Sequence, residues 1–435
     1  MNPFFWTMVY TCLAFLRPQE WYEAGGIFSS GPVVMIVGIF AWICYLAEAS
    51  GRRAFQLQNV PQVWFLVALF FVTPIYHIID TNFTATQETL LLVGNICQYA
   101  IILGIVLDRP SRLQKMAALL VTIAILISVH MIMQIHLGHG FGGQTAVHRG
   151  REAGMDWRPR YFGIYGDPND VAQLLLACLP LSLVVFYKKS ILRIAVVAVA
   201  IGIILYGLYL TDSRGGMLGL AALGVLLPVV WLRGKKRVVS LVVGCVIIFI
   251  GSAIALAWAG MDVSLAGRLD YWGACNDLFK SHPLFGVGFN MTAERIEGQA
   301  AHNAFVNTYT DVGLVGYLVW FGMIYFSVIG CYKVLDLIPE SVEDAYLRRM
   351  GGLFFCFMVA FLVSSYFLSR GYVYPLFMLI GFSTGLIRVV NNKIPAGGTK
   401  IFSDIRMMML FWPIATLSSF VFIYISMRVI RLVAW

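Results

Sequence analysis

The chain has 435 residues, 60% hydrophobic and 12% charged, with a mean hydropathy of +0.80. Soluble domains carry about 25% charged residues, so a water-soluble globular fold is excluded. The net charge of +9 is read as the basic excess that orients a membrane protein, which leaves no role for nucleic acid as a partner.

Apolar runs of about 20 residues recur along the chain, each long enough to cross a hydrocarbon core of about 30 Å. They show no strand-like alternation, and helices satisfy their own backbone groups in lipid. The expected class is therefore all-α: a polytopic integral membrane protein of about 12–13 transmembrane helices, forming a single transmembrane domain over 1–435. Spans are expected near 3–16, 31–47, 60–79, 89–107, 116–137, 169–187, 192–211, 216–232, 238–258, 303–332, 350–369, 372–390 and 407–427. The first run lacks a basic leader and a small-residue cleavage site, so it reads as a retained helix. Of the eight cysteines, Cys275 alone falls in a long polar loop, with no neighbour for a disulfide or a metal cluster.

Charge assigns the connections to two sides. Arg52 and Arg53, the Arg109–Lys115 segment, Lys188, Lys189, Arg193, Arg233–Arg237, Lys333, Arg348, Arg349 and Arg388–Arg406 fall in alternate connections. This set holds every lysine except Lys280 and is expected to face the cytoplasm. The opposite side is arginine-rich. Arginine also opposes the positive-inside rule, but it offers a planar, permanently charged fork that matches phosphate oxygens. Anchoring at the interface accounts for part of this set.

The outer connections run in order. The first is Arg17-Pro-Gln-Glu-Trp-Tyr-Glu. A loop over 138–167 carries Arg149, Arg151, Arg158 and Arg160 and ends in Tyr165-Gly-Asp-Pro-Asn-Asp. Ser213-Arg214-Gly215-Gly216 is a tight turn between two spans. The main loop, 259–302, holds Arg268, Lys280, Arg295, His282 and His302, and Ser369-Arg370-Gly-Tyr is the last connection. Within the main loop, Arg268 to Lys280 reads as a short helix with Arg268, Trp272, Cys275 and Phe279 on one face. Ser281-His282-Pro283 ends it, a glycine-rich turn follows, and His302-Asn303 opens the next span.

Each constellation has a structural and a chemical reading. Asp167 and Asp170 suit a divalent metal, but better suit an N-cap and a third helical position around Pro168. Either use leaves Asn169 able to face a ligand. Arg214 either snorkels or binds an anion beside the N-terminal amides of the following helix. His302 is either an interfacial side chain or a proton acceptor suited to neutral pH. His77, Asp80, Asn95, Gln98, His130 and Gln134 read as bridges between helices rather than as an ion path.

Three phrases together resemble the O-antigen ligase and O-antigen polymerase superfamily. They are Leu210-Thr-Asp-Ser-Arg-Gly-Gly; then Arg268-x-x-Tyr-Trp with His282-Pro-Leu-Phe-Gly-Val-Gly; then Ala301-His-Asn-Ala-Phe followed by Asp311-Val-Gly-Leu-Val-Gly. Tyr161-Phe-Gly-Ile-Tyr-Gly-Asp-Pro-Asn-Asp is similar to a fourth element of that family. The opening Leu16-Arg-Pro-Gln-Glu resembles members associated with exopolysaccharide synthesis. The resemblance covers roughly 160–320.

It implies a glycosyltransferase of the bacterial inner membrane with its active site facing the periplasm. The main loop would roof that site. The donor would be an undecaprenyl-diphosphate-linked glycan, and transfer would be inverting, without a metal or other cofactor. By motif, His302 and Arg214 would be the catalytic positions, with Arg268 beside them on the diphosphate. Arg17, Arg160 and Arg370 are nominated as diphosphate ligands from charge and sidedness alone. Asn303, Asn169, Tyr271 and Asp167 are the candidates for sugar or acceptor contacts. A polymerase for O-antigen or exopolysaccharide, with a glycan acceptor, is favoured over a ligase with a lipid A-core acceptor. A transporter of the same lipid-linked sugar is the alternative from another class, and membrane lipid is a partner in every case.

Overall fold

The computed structural model describes residues 2–21, 30–49, 60–148, 157–185, 190–259, 263–296, 301–337, 339–368, 370–395 and 398–434, without the side chains of 30, 31, 49, 249, 252–268 and 429–434. Arg149, Arg151 and the Arg268 side chain lie outside the described residues.

All thirteen predicted apolar segments are helical. Local chemistry sets most of their limits. Helix α1 (Pro3–Phe15) is capped by Asn2. α2 spans Ser30–Ala49. The third segment is two helices, α3 (Pro61–Val72) and α4 (Ile75–Ile79), because Pro74 cannot continue the ladder. α5 (Phe83–Val106) begins earlier than hydropathy suggests, at the Asn82 cap, and α6 is Pro110–Leu137. The sixth segment is likewise split, into α7 (Pro168–Cys178) and α8 (Leu181–Val184), at Pro180. α9 (Ile191–Leu210), α10 (Arg214–Leu226) and α11 (Gly234–Ala259) follow. The main loop holds α12 (Val263–Ser281), longer than the expected helix, and the single turn α13 (Thr292–Arg295). α14 (Ala304–Val334), α15 (Val342–Ser365), α16 (Tyr374–Lys393) and α17 (Ile405–Ala434) complete the bundle. A two-residue hairpin, β1 (Val147–His148) and β2 (Trp157–Arg158), lies in the loop after α6.

Among the described residues, eight helical segments are long and apolar enough to cross a membrane, and 32–48, 168–184 and 214–230 are shorter apolar helices. The chain is an all-α, multi-pass membrane protein. α16 is its axis: 89% of its most apolar window is buried, against 17% for α17. α16 meets α5 closely, since a Cβ on Gly381 would lie 2.9 Å from Leu103 Cδ2 and one on Gly104 would lie 2.6 Å from Thr384 Cγ2. Small residues at such crossings let backbones approach and gain dispersion contacts where lipid offers no hydrophobic drive. α9, α11 and α17 form the rim, with exposed rows such as Ile191, Val196 and Val199, or Leu410, Leu417 and Val421. Apolar surface of that extent fits lipid contact.

The bundle has two chemically distinct ends. At one, Lys333 meets Asp404 at 2.5 Å, Lys393 meets Glu343 at 2.7 Å, and Arg237 meets Asp336 at 2.6 Å. Arg388 donates to the carbonyls of Gly104 and Ile105 there. The other end gathers the starts of α7, α10 and α14 and the connection from α15 to α16. Arg52, Arg53, Lys188 and Lys189 of the predicted cytoplasmic set lie outside the described residues.

Candidate functional site

The site is framed by three helix N-termini, each capped by its own sequence. Asp167 accepts from Asn169 N at 2.7 Å, with Pro168 at the first helical position of α7. Ser213 accepts from Gly216 N at 3.2 Å and starts α10. Asn303 accepts from Phe305 N and Val306 N and starts α14. Capped N-termini retain unpaired amides and a positive dipole end, which favours an anion.

Glycines bring these ends together. A Cβ on Gly216 would lie 2.9 Å from Ala172 Cβ of α7, and one on Gly215 would lie 3.3 Å from Phe367 Cβ, just past α15. From there the chain reaches Arg370, and Gly371 rests against Thr308 in the first turns of α14. Trp320 of α14 donates to Gly371 O at 2.9 Å. The connection between α15 and α16 therefore links all three helix starts.

Arg370 pairs with Asp170 of α7 in two-pronged fashion: Nε donates to Oδ1 at 2.9 Å and Nη2 lies 2.7 Å from Oδ2. Burial disfavours the guanidinium charge, but the Asp170 carboxylate outweighs this and raises the Arg370 pKa above its ordinary value. Asp170 thus occupies the third helical position, as expected, and also holds a cation from 200 residues away. Arg17 is buried and pairs with Glu20, its Nε donating at 2.8 Å, beneath Gly163. Arg160 is half-buried and donates from Nε to Thr145 O at 3.1 Å.

Arg214 is the first residue of α10 and is exposed. His302 is half-buried, at φ 49°, immediately before the α14 cap. Trp272 of α12 donates to Ala301 O at 2.5 Å and pins the preceding residue. The expected apolar face of α12 is the one packed on α14: Trp272 and Cys275 are buried, and Phe279 stands edge-on to Tyr309 at 5.2 Å. Burial pushes the Cys275 thiol up to about 12, which makes it a packing group rather than a nucleophile. Tyr271 is half-buried on the same helix. Asn303 is fully buried, and its Nδ2 has no hydrogen-bond partner among the described residues.

The 283–288 segment of the main loop is held by a break in α14. Gly313 leaves helical geometry (φ 65°, ψ −169°). Val287 N and Gly288 N donate to Thr310 O and Asp311 O, while Leu314 N and Val315 N donate to Pro283 O and Leu284 O. The 283–288 segment thereby replaces the lost intrahelical bonds. Asp311 adds a buried carboxylate that accepts from Thr292 N at 3.1 Å and from Asn307 Nδ2 at 2.7 Å. His77 bonds Phe289 O at 3.1 Å, so it bridges as expected, but to the main loop.

In the sequence Arg158 is one arginine among four in its loop, with nothing to single it out. It donates to Thr211 O at 2.7 Å, Asp212 O at 3.3 Å and Asn169 Oδ1 at 3.1 Å, joining the α10 turn to the start of α7. Among the described residues, all five non-glycine positions with positive φ, Arg17, Thr81, Asp212, Asn290 and His302, lie at this end. Such backbone costs about 1–3 kcal/mol per residue and gathers at functional sites.

Residues 199–321 match the family model described as O-antigen ligase. The matched segment runs from α9 through α12 into α14, so it contains Ser213, Arg214, the 283–288 turn, His302, Asn303 and Gly313. Arg17, Arg158, Arg160, Asp170 and Arg370 fall outside it. No curated protein matches the chain significantly. That segment is therefore similar to the O-antigen ligase family.

Proposed function

We propose that this chain, which carries the O-antigen ligase segment, moves a glycan from a lipid diphosphate to an acceptor sugar hydroxyl at its arginine-rich end, facing the periplasm of the bacterial inner membrane. The observation that carries the reading is the convergence of three capped helix N-termini with Arg158, Arg214 and Arg370. Together they supply fixed positive partners for a departing diphosphate.

In this reading the acceptor oxygen attacks the anomeric carbon from the face opposite the diphosphate. The bond from that carbon to the phosphate oxygen breaks, and the lipid diphosphate leaves with the electron pair. The hydroxyl proton passes to the His302 imidazole. Configuration inverts, and no metal or other cofactor takes part. Arg214 and Arg268 bear on the leaving diphosphate, with Arg370 and Arg160 at its margin. Losing one such preorganised contact costs about 10²–10³ in rate. Arg17, locked to Glu20, braces the loop around Gly163. Asn303 Nδ2, Asn169, Tyr271 and Asp167 are assigned to the sugar or the acceptor.

Polymerisation is favoured over ligation to lipid A-core because the Leu16-Arg-Pro-Gln-Glu opening resembles members associated with exopolysaccharide synthesis. The test is purified protein in lipid nanodiscs, given undecaprenyl-diphosphate-linked oligosaccharide and two competing acceptors. Chain extension on the carrier supports polymerase, and transfer to lipid A-core supports ligase. Donor binding without a new glycosidic bond would favour a transporter.

A further inference from the structure

A cavity of about 830 Å³ opens at the same end, between the end of α6, the 139–148 loop, the hairpin and the turn before α10. Its walls include Gln134, Thr145, Trp157, Arg158 and Asp212. Ligand pockets commonly span about 300–1,000 Å³, so this one suits more than a single small group. It shares a wall with the anion site, because the Arg158 guanidinium that lines it also reaches Asn169 at the start of α7.

The lining chemistry is selective. Trp157 is 52% exposed although held edge-on to His148 at 5.3 Å. A large, half-exposed indole offers a flat face with a polar edge. Asp212 is exposed at φ 47°, a conformation that non-glycine residues hold only under constraint. Its carboxylate disfavours a second anion. Gln134 is fixed by accepting from Arg160 N at 2.9 Å, and Arg160 in turn braces Thr145 O. An apolar platform beside a carboxylate and a guanidinium fits a ligand with apolar C–H faces and many hydroxyls.

We propose that this cavity is a saccharide subsite, with Trp157 as the stacking platform and Asp212 as a hydroxyl acceptor. It rests on the glycan-transfer reading and adds a place for sugars of the chain adjoining the reactive one. Donor and acceptor glycans share this chemistry, and kinetics separates them.

The experiment uses the full chain in nanodiscs, comparing wild type, Trp157→Ala and Trp157→Phe. Transfer is measured against varied donor and varied acceptor. Binding is measured with tagged free oligosaccharide released by mild acid from the host's own lipid-linked pool. Trp157→Ala is expected to raise KM for one substrate by about tenfold, with the loss falling on KM rather than kcat, and Trp157→Phe to restore most of it. The substrate whose KM moves identifies the occupant. Unchanged KM for both substrates and unchanged oligosaccharide binding in Trp157→Ala would overturn the subsite. Wild-type protein that makes no product yet loses oligosaccharide binding in Trp157→Ala would overturn the transfer reading and leave the subsite standing.

Discussion

Replacing Gly313 with alanine reverses the sign that a helix normally gives. In an ordinary helix the change from glycine stabilises by about 1 kcal/mol. At Gly313 the backbone sits at φ 65° and ψ −169°, a region open in practice only to glycine. The added Cβ would lie 2.4 Å from the Leu284 carbonyl carbon and 2.5 Å from Gly286 N, both backbone atoms that cannot rotate away. Backbone strain alone costs about 1–3 kcal/mol. Relief by displacing the 283–288 segment would break the four bonds it makes with residues 310–315, each worth about 1 kcal/mol net. The expected loss is several kcal/mol, concentrated on the main loop. Gly224→Ala is the control, because a Cβ there meets nothing within 4 Å. Thermal unfolding in detergent, followed by fluorescence-detected size exclusion, should show Gly313→Ala melting well below wild type and Gly224→Ala at or above it. Limited proteolysis should reach the main loop first in Gly313→Ala. Equal melting of Gly313→Ala and wild type, with equal transfer activity, would refute the claim that this break holds the main loop.

His302→Ala should insert and melt like wild type but form no product; near-normal turnover would reject proton transfer by the imidazole. Arg214→Ala should lower kcat by about 10²–10³, and Arg214→Lys should recover only part, because a point charge lacks the fork; full recovery by lysine would mean that charge alone suffices. Asp170→Ala should lower stability by about 1–3 kcal/mol, toward the low end because Arg370 is 48% exposed. Adding Arg370→Ala to it should cost less than the two single losses together, and strict additivity would show that the pair is not coupled.

The framework of the bundle is written locally, which is why it could be read. Asp167-Pro168, Ser213 and Asn303 are caps, and each starts the helix its type and spacing indicate. Pro74 and Pro180 end helical ladders whose apolar character continues across them. Hydropathy is blind to such breaks, and to the one at Gly313, where the residues on both sides are suited to lipid. The pairing of 283–288 with 310–315 had a trace in two glycine-rich phrases, but neither phrase says that it binds the other. Arg158 was not legible. Two of its acceptors are carbonyls of the turn before α10, the nearer one 53 residues away in sequence, and a carbonyl acceptor leaves no residue-type signature. The Asp170–Arg370 pair spans 200 residues and depends on α7 and α15 both packing on the glycine face of α10.

That pair also answers an apparent contradiction. The diphosphate site proposed above would have carboxylates, Asp170 and Glu20, beside two of its nominated cations. Guanidinium groups on long side chains lose substantial rotamer freedom when they are fixed. Asp170 fixes Arg370 during folding, through two contacts on one edge of a five-donor fork, and leaves the group about half exposed. Glu20 fixes Arg17 in the same way but buries it. In the proposed reaction an arriving diphosphate would meet one oriented cation it can reach and one it cannot, and binding energy would go to the leaving group rather than to ordering the site. The carboxylate repels the anion as well. That repulsion is weakened by its own pairing and opposed by the amides of the α7, α10 and α14 starts, whose dipole ends together outweigh one neutralised acid. The balance predicts a site that holds diphosphate tightly enough to stabilise its departure and loosely enough to release the spent carrier.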